Sequence, residues 1–443
     1  MRRLYSAVIY CLAPLAFATL LWRGLRERAY WSGLRERFGF GPHIATAAGN
    51  TRTQGIWLHA VSLGEMSAAA PLIRALRERH PDLPLVLTTA TPAGRARASA
   101  LFAEAADIRY LPYDTPAAVR RFLARIRPGV AVIMETELWP NLLAACALRG
   151  VPVLLASARL TAKSASRYGR LGSLFRGVFT ENVSIAAQSA DDAARFLQIG
   201  AQAARLRVVG NVKFDVSLDA QLIEQGRRLR QSFGIERCTW VAGSTHAGED
   251  EAVLGAHARL LQDEPRALLL LAPRHRDRFE TVAALIKNSG LRFARRSGGG
   301  EPAQGALAQC QVLLVDTLGE LPMMYAAADI AFVGGSLVPV GGHNLLEPAA
   351  LGLPVLSGPY QDNNRDIAKM LAASGALREV STAVELGEAL RRLCDDAAER
   401  RRMGEAGILL VAANRGSVAV LMELIEPLLA GAPGLAAHRS AAY

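Results

Sequence analysis

Short apolar segments alternate with helical patterns along most of this 443-residue chain. Apolar runs bounded by turn residues are typical of buried strands, and helices between successive strands predict parallel pairing. A first series of predicted strands comprises Ile56–Val61, Leu85–Thr89, Ile108–Leu111, Val130–Met134, Val153–Ala156, Ile185–Ala187 and Leu206–Val209. A second series comprises Trp240–Ala242, Leu268–Ala272, Arg292–Ala294, Val312–Val315, Ile330–Val333 and Val355–Leu356. The sequence therefore predicts an α/β fold with two Rossmann-like, doubly wound domains that face a cleft.

The order of these patterns suggests domain boundaries. We predict a membrane anchor with a basic flank over 1–45, an N-terminal Rossmann-like domain over 46–215 and a linker over 216–237. A C-terminal Rossmann-like domain follows over 238–430, and a tail rich in Ala, Gly and Pro over 431–443. Residues 46–54 and the Gly-rich residues 297–304 are expected to be loops, and the chain after Leu377 is expected to be helical.

The N-terminal run from Leu4 to Trp22 is uncharged and mostly apolar. Its length is near the roughly 20 residues that span a bilayer. The first 45 residues also carry seven Arg and two Glu, and Arg is favourable beside anionic headgroups. A cleaved signal peptide and a buried core helix are the alternatives to a membrane anchor. The apolar run continues past Ala16-Phe-Ala18, which resembles a cleavage site, and this argues against a signal peptide. We favour the anchor because of its Arg-rich flank.

The net charge of +11 and the pI of about 9.8 indicate an anionic partner, such as nucleic acid, phospholipid or a phosphorylated substrate. The chain has no zinc-finger spacing, no aromatic RNA-binding box and no long Lys/Arg block, which argues against nucleic acid. The cysteines lie far apart, so we expect reduced thiols and no metal-binding cluster. They are Cys11, Cys146, Cys238, Cys310 and Cys394.

The stretch Phe332–Leu356 combines a strand, a loop with two glycine pairs, a helix and a further strand. Glycines allow the backbone to approach a ligand closely. The helix, predicted from near His343 and Asn344 to Gly352, would offer free N–H groups to an anion. His343 and Glu347 are four residues apart, so both can face one pocket. The alternative is a tight turn with Asn344 as a cap.

Several motifs occur in a fixed order over nearly the whole chain. They are His59-Ala-Val-Ser-Leu-Gly-Glu65, Met134-Glu-Thr-Glu-Leu-Trp-Pro-Asn141, Gly210-Asn-Val-Lys-Phe-Asp215, Ser244-Thr-His246, Pro273-Arg-His275 and the Phe332–Leu356 stretch. Together they closely resemble the motifs of the 3-deoxy-D-manno-octulosonic acid (Kdo) transferases. The resemblance implies a GT-B glycosyltransferase fold. It also implies inverting transfer of Kdo from CMP-Kdo to a lipid A precursor, lipid IVA, in lipopolysaccharide biosynthesis.

The resemblance also implies catalytic roles for residues of the N-terminal half. Glu65 aligns with the general base, Glu135 borders the active site, and Lys213 stabilises negative charge in the transition state. Glu65 opens a helix, where the helix dipole favours the ionised carboxylate. Glu137 shares a strand face with Glu135 and is expected to line the site. The alternatives are a helix-capping Glu65 and a solvated Lys213.

In the C-terminal half, Arg274 ends an apolar strand, and a guanidinium there suits a phosphate. By resemblance, the CMP-binding residues are Pro273, Arg274, Leu318, Gly319, Glu320, Asn344, Leu345, Leu346 and Glu347. Ser244, His246 and His343 are expected to line the same site. The sequence departs from the family pattern at Ala247, Leu345, Tyr360 and Asn364. The shape of the donor pocket is therefore expected to differ from that of relatives.

No Asp-x-Asp motif occurs in the sequence, so we expect no metal ion and no cofactor besides the substrate CMP-Kdo. The resemblance implies a protein of the inner membrane that faces the cytoplasm, with the lipid A precursor and the anionic membrane surface as partners. One rival is another GT-B enzyme, either a different nucleotide-sugar transferase or an epimerase. A second rival is a membrane-anchored nucleotide-sugar binder without activity. The co-occurrence of Glu65, Lys213 and the 344–347 segment favours an enzyme.

Overall fold

The structure, a computed structural model, describes residues 1–43, 55–170, 172–216, 218–298 and 309–431. The predicted loop over 46–54, most of the loop over 297–304 and nearly all of the tail lie outside the described residues. The chain divides into two compact units. The first unit comprises Met1–Asp215 and Arg415–Tyr443, and the second comprises Val216–Asn414.

The first unit contains a seven-stranded parallel sheet of order β3-β2-β1-β4-β5-β6-β7. Its strands are β1 (Gly55–His59), β2 (Leu85–Thr89), β3 (Asp107–Tyr110), β4 (Pro128–Met134), β5 (Val153–Ala158), β6 (Val183–Ala187) and β7 (Leu206–Val208). Its helices up to residue 215 are α1 (Arg2–Arg26), α2 (Leu63–Arg79), α3 (Pro92–Phe102), α4 (Pro116–Ile126), α5 (Pro140–Leu148), α6 (Ala162–Arg170), α7 (Gly172–Arg176) and α8 (Ala190–Gln198). Short 3-10 turns lie at Arg28–Trp31, Glu36–Phe38, Ala203–Arg205 and Val212–Phe214.

The second unit contains another seven-stranded parallel sheet, of order β10-β11-β9-β8-β12-β13-β14. Its strands are β8 (Thr239–Thr245), β9 (Leu268–Pro273), β10 (Phe293–Arg295), β11 (Val312–Leu314), β12 (Ile330–Val333), β13 (Val355–Ser357) and β14 (Leu377–Glu379). Its helices are α9 (Ala220–Phe233), α10 (Asp250–Asp263), α11 (Phe279–Asn288), α12 (Leu321–Ala326), α13 (Leu346–Ala350), α14 (Arg365–Ala373), α15 (Ala383–Asp395) and α16 (Ala397–Ala413), with a 3-10 turn at Arg276–Arg278. The final helix, α17 (Ser417–Leu429), belongs to the first unit.

Each sheet is covered by helices on both faces, and this explains why its strands are continuous apolar runs. In β1, Trp57 packs into one core of the first unit, while Ile56 and Leu58 pack into the core on the opposite face. In β8, Trp240 packs into one core of the second unit and Val241 packs into the core on the opposite face. The prediction of two doubly wound α/β domains is confirmed.

The structure differs from the predicted boundaries at both ends of the second unit. Residues 216–237 belong to the second unit, where the helical stretch predicted from Leu218 to Phe233 is α9, which packs against α12 and buries Phe233 in a core. The C-terminal segment after residue 414 returns to the first unit, where α17 packs on α2. The carboxylate of Asp215 accepts the N–H groups of Gly416 at 2.6 Å and Val418 at 2.7 Å at the start of α17. Strand β14 lies where only helix was predicted.

Helix α1 lies against the first unit instead of standing apart from it. The Tyr5 hydroxyl donates to the buried Asp114 carboxylate at 3.0 Å, and the Ser6 hydroxyl donates to the Asn141 side-chain oxygen at 2.9 Å. The less exposed residues recur every three or four positions, as expected for one helical face. They are Tyr5, Ser6, Ile9, Ala13, Ala16, Phe17, Leu20 and Gly24. This face docks the helix on the domain.

The opposite face of α1 is apolar and exposed. It presents the large side chains Leu4, Val8, Leu12, Leu15, Trp22 and Leu25. By length and composition alone, the stretches Arg2–Arg26 and Ala397–Leu429 are both apolar enough to cross a membrane. The second stretch corresponds to α16 and α17, which pack within the two units. Helix α1 is therefore not the buried core helix that was one alternative.

Cys238 and Cys394 form a disulfide that joins the residue before β8 to the last turn of α15. The expectation that all the cysteines are reduced is therefore wrong for this pair. The partners are 156 residues apart in sequence, and spacing alone does not reveal such a pairing. Cys11, Cys146 and Cys310 are not part of a disulfide, and the last two are buried, as expected, whereas Cys11 is exposed.

Candidate active site

The carboxyl ends of β1 and β4 are neighbours in the first sheet and carry the predicted acidic residues. Glu65 lies in the first turn of α2, directly after β1. Its Oε2 atom accepts the Val61 N–H at 2.9 Å, while the Ser62 hydroxyl accepts the Glu65 N–H at 3.3 Å. This arrangement is similar to a capping box, but the carboxylate binds the N–H of the residue before the N-cap Ser62. The capping role that was one alternative for Glu65 is thus present, and the carboxylate has a fixed position.

Burial changes the ionisation of two of these carboxyl groups. Desolvation raises the pKa of Glu65 to about 7, and the charge of Glu135 adds to the shift. Desolvation likewise raises the pKa of Glu137 to about 7, again with a contribution from Glu135. The expectation that the helix terminus keeps Glu65 fully ionised is therefore wrong, because burial and the neighbouring charge outweigh it. A pKa near neutrality suits a general base.

Glu135 follows β4 with φ of 54°, in the left-handed region that a non-glycine residue rarely occupies. Such backbone strain is concentrated at functional sites. On the neighbouring strand, the hydroxyl of Ser157 accepts the Val212 N–H at 3.3 Å and holds the 3-10 turn that carries Lys213. This turn also packs against α2. The structure therefore brings Glu65, Glu135, Glu137 and the Lys213 turn to one edge of the first sheet.

In the second unit, two predicted histidines form a pair beyond the ends of β8 and β12. The Nε2 atoms of His246 and His343 lie 2.8 Å apart, and their rings stack with centroids separated by 5.1 Å. Burial lowers the pKa of His343 to about 4, and the charge of Arg274 adds to the shift. Burial also lowers the pKa of His246. Both rings are therefore neutral near pH 7, so one Nε2 donates and the other accepts. Ser244, at the end of β8, has φ of 59°.

Sequence reasoning missed Glu249, a fully buried carboxylate in the second unit. It accepts the N–H groups of Gly335 at 2.7 Å, Leu337 at 2.8 Å, Ser336 at 2.9 Å and His246 at 2.9 Å. These bonds fix the glycine loop that follows β12. The available signal was an acidic residue at the start of α10, directly after the Ser-Thr-His motif.

The glycine loop continues to a shorter helix than predicted. Helix α13 begins at Leu346, and His343 and Asn344 precede it in a loop. The Asn344 side-chain oxygen accepts the Leu346 N–H at 3.0 Å, and its Nδ2 donates to Glu347 Oε1 at 3.0 Å. The start predicted near residues 343–344 is wrong by about one helical half-turn. The bond from the Leu346 N–H to the Asn344 side chain agrees with the alternative interpretation, in which Asn344 caps the helix.

The other predicted donor-binding residues differ in what they offer a ligand. Pro273 ends β9, and Arg274 follows with an exposed side chain. Leu345 and Leu346 are fully buried, so a ligand could meet only their backbone atoms. Near the end of β11, Leu318 is exposed and Gly319 has φ of 86°.

Glu320 already has partners within the second unit. Its carboxylate accepts two hydrogen bonds from Arg296 at 3.1 Å and one from Thr317. Burial raises the pKa of Glu320, but these donors outweigh it and leave the pKa below the usual value. A ligand at Glu320 would therefore have to share the carboxylate with Arg296. Across the residues that the structure describes, no three His, Cys, Asp or Glu side chains are placed to hold a metal ion.

Comparison with known proteins gives consistent matches. The family profile described as 3-Deoxy-D-manno-octulosonic-acid transferase (kdotransferase) matches residues 32–216, and that of Glycosyl transferases group 1 matches 302–409. The 3-deoxy-D-manno-octulosonic acid transferase of Haemophilus influenzae is 39% identical over 97% of this chain and 99% of its own length. That of Bordetella pertussis is 40% identical over 96% of this chain and 99% of its own length.

A solved structure is similar in fold at low sequence identity. The crystal structure of Anabaena Alr3699/HepE in complex with UDP is 15% identical and covers 85% of this chain and 100% of its own, with a TM-score of 0.54. At this identity the likeness concerns the fold alone.

Proposed function

The chain belongs to the Kdo transferase family of lipopolysaccharide biosynthesis, a family of glycosyltransferases, and we propose that it transfers Kdo from CMP-Kdo to lipid IVA with inversion. The proposed mechanism is supported mainly by the position and the raised pKa of Glu65. Its carboxylate is held at the edge of the first sheet beside Glu135, with a pKa of about 7. That combination suits a group that removes a proton from a sugar hydroxyl.

This geometry supports the following proposed reaction. Glu65 accepts the proton of an acceptor hydroxyl while that oxygen attacks the anomeric carbon of Kdo. The bond from this carbon to the phosphate oxygen breaks on the opposite face, so CMP leaves with the bonding electrons and the configuration inverts. Lys213 offsets negative charge in the transition state. General base catalysis of this kind contributes roughly 10²–10⁴-fold.

The donor is assigned to the second unit. Arg274 presents an exposed guanidinium, which matches a phosphate through two parallel hydrogen bonds. Asn344 is exposed and holds the half-buried Glu347 at 3.0 Å, and this carboxylate suits hydroxyl groups of the ribose. The neutral His246–His343 pair lines the same loop without adding positive charge.

The transfer is proposed to need no metal ion. The sequence lacks the Asp-x-Asp pair that many metal-dependent sugar transferases use to hold a cation. Arg274 and Lys213 are cations that can offset the charge of the phosphate leaving group.

At the membrane, α1 is proposed to lie in the interface at the cytoplasmic face of the inner membrane. Its inner face is docked through Tyr5 to the domain, while Leu4, Val8, Leu12 and Leu15 point outward. An apolar helical face flanked by Arg favours such a position. Replacing these four residues by Gln leaves the docked face intact. The variant should remain folded and no longer sediment with anionic vesicles, whereas sedimentation equal to that of the wild type would contradict the interfacial position.

One assay tests the reaction as a whole. Purified protein is incubated with CMP-Kdo and detergent-dispersed lipid IVA, with and without excess EDTA, and the products are identified by mass. We expect Kdo-modified lipid and equimolar free CMP in both conditions. Activity lost in EDTA and restored by Mg²⁺ would overturn metal independence. CMP-Kdo binding without any product would favour the rival interpretation of a binder.

A further inference from the structure

We propose that the exposed cationic face of α6, formed by Lys163, Arg167 and Arg170, binds a phosphate group of the acceptor glycolipid. This inference rests on the proposed function and adds a subsite to it. The three cations lie four and three residues apart, so they share one side of the helix. All three are exposed. The opposite side of α6 buries Ala165 and packs Tyr168 against Phe175, with ring centroids 4.5 Å apart.

The charge around this face is unbalanced. The sequence contains no Asp or Glu from Leu138 to Thr180, although six Lys and Arg residues occur there. Elsewhere in the first unit, some arginines have acidic partners: Arg95 pairs with Glu36 at 2.9 Å, and Arg195 pairs with Asp192 at 3.4 Å. Within the described parts of the chain, no carboxylate lies within ion-pair distance of the three α6 cations. An anionic ligand would meet no competing carboxylate on this face.

The location of α6 connects this face to the proposed catalytic edge. Helix α6 follows β5, which is the neighbour of β4 in the sheet. Burial raises the pKa of Tyr168 on α6, and the nearby charge of Glu137 adds to the shift. Helix α6 therefore begins beside the sheet edge that carries Glu65 and Glu135, where an acceptor hydroxyl has to be placed, and its cations lie on the side of the helix away from Tyr168.

The surroundings of α6 also suit an acylated ligand. Helix α6 packs against α7, and beside α7 lies an open pocket with a volume of about 260 Å³. Leu174, Pro140 and Val178 line it together with Arg2, at the start of α1. The exposed apolar face of α1 begins at Leu4. The α6 cations, this pocket and the exposed apolar face of α1 thus occur on neighbouring elements of one unit. This combination matches a phosphorylated, acylated sugar better than a free phosphate.

The test is a charge-neutralised variant that carries Lys163→Gln, Arg167→Gln and Arg170→Gln. Its affinity for lipid IVA and for enzymatically dephosphorylated lipid IVA is measured in neutral detergent micelles, together with KM and kcat for transfer. We expect at least about a tenfold loss of affinity and a matching rise in KM for the phosphorylated acceptor, as for lost charge-assisted bonds. The variant and the wild type should bind the dephosphorylated acceptor equally.

A matched control removes the same charge elsewhere. Lys287→Gln, Lys369→Gln and Arg401→Gln neutralise exposed cations of the second unit, and this variant should bind both acceptors as the wild type does. Equal losses in the two variants, or equal losses for both acceptors, would overturn the proposal. Weaker binding of the α6 variant to anionic phospholipid vesicles, with unchanged binding of lipid IVA in micelles, would overturn it in favour of a membrane contact. Acceptor affinity is measured without CMP-Kdo. A failure of the proposed transfer reaction can therefore be distinguished from a failure of the proposed phosphate subsite.

Discussion

The buried carboxylate of Glu249 accepts the backbone N–H of Gly335 at 2.7 Å, beyond the ends of the adjacent strands β8 and β12. The same carboxylate binds the next two N–H groups and that of His246. Gly335 has φ of 68°, and a side chain there would collide with the His343 ring. Glu249 and Gly335 together therefore determine where the loop and the His246–His343 pair stand.

Replacing Glu249 by Gln should weaken CMP binding without any direct contact to the nucleotide. The amide nitrogen of Gln donates and cannot accept, so two of the four N–H groups lose their partner. We expect a decrease of about 1–3 kcal/mol in the free energy of unfolding and at least about a tenfold loss of CMP affinity. Calorimetry and thermal unfolding measure both quantities. Glu251→Gln, on the exposed side of α10, is the control. A loss of stability with unchanged CMP affinity would contradict the positioning role.

Replacing Arg274 by Ala should lower CMP affinity, because a charge-assisted phosphate contact contributes about 1.5–3 kcal/mol. Glu347→Gln should also weaken binding, because its carboxylate is proposed to meet the ribose. Arg276→Ala removes an equally exposed arginine two residues away and should leave CMP affinity near that of the wild type. Isothermal titration with CMP gives all three values. Unchanged affinity in both the Arg274 and Glu347 variants would place the nucleotide elsewhere.

The sequence predicts the strands well and the polar partnerships poorly, for a physical reason. Strand positions depend on local apolar runs, so segments such as Leu268–Ala272 were predicted close to their observed bounds. Glu249 is held by N–H groups 86 to 88 residues away, and Tyr5 by a carboxylate 109 residues away. Which backbone groups meet a buried acid depends on the sheet order, and local patterns do not contain that information.

In the candidate site, too, local sequence predicts some features, while others depend on residues that are distant in sequence. Glu65 was predicted from the family resemblance together with its place after a strand, and its position at the start of α2 depends on a cap only three residues away. Its raised pKa depends first on burial and then on the charge of Glu135, which a different strand brings to the same edge. The expectation that the helix terminus keeps Glu65 ionised was wrong, because local sequence reveals the helix terminus but not the burial or the neighbouring charge.

The rate of transfer should rise with pH through about 7, because Glu65 accepts a proton only when ionised and its pKa is about 7. Glu135→Gln removes a charge that raises this pKa, so any remaining activity should have its midpoint at lower pH. The free energy of unfolding should change with pH in the opposite direction to the rate. The pKa of Glu65 in the folded protein exceeds the ordinary value of 4.5, so its contribution to stability is fully present below about pH 4.5 and is lost as the pH rises through 7. Single-turnover rates from pH 5.5 to 8.5 measure the midpoint, and a flat profile would contradict this assignment.

Glu65→Gln should lose roughly 10²–10⁴-fold in the rate of the chemical step, the usual contribution of a general base. Gln preserves the length of the side chain, and its amide oxygen can still accept the Val61 N–H, so the cap of α2 is kept. CMP affinity should remain near wild type, because the donor-binding residues belong to the second unit. Glu135 is the competing candidate, since its carboxylate stands at the same edge and its strained backbone is typical of a functional position. Single-turnover rates of both Gln variants at pH 8 decide between them, because Glu65, with a pKa of about 7, is mostly ionised at that pH. A near-normal rate for Glu65→Gln with a collapse for Glu135→Gln would assign the base to Glu135.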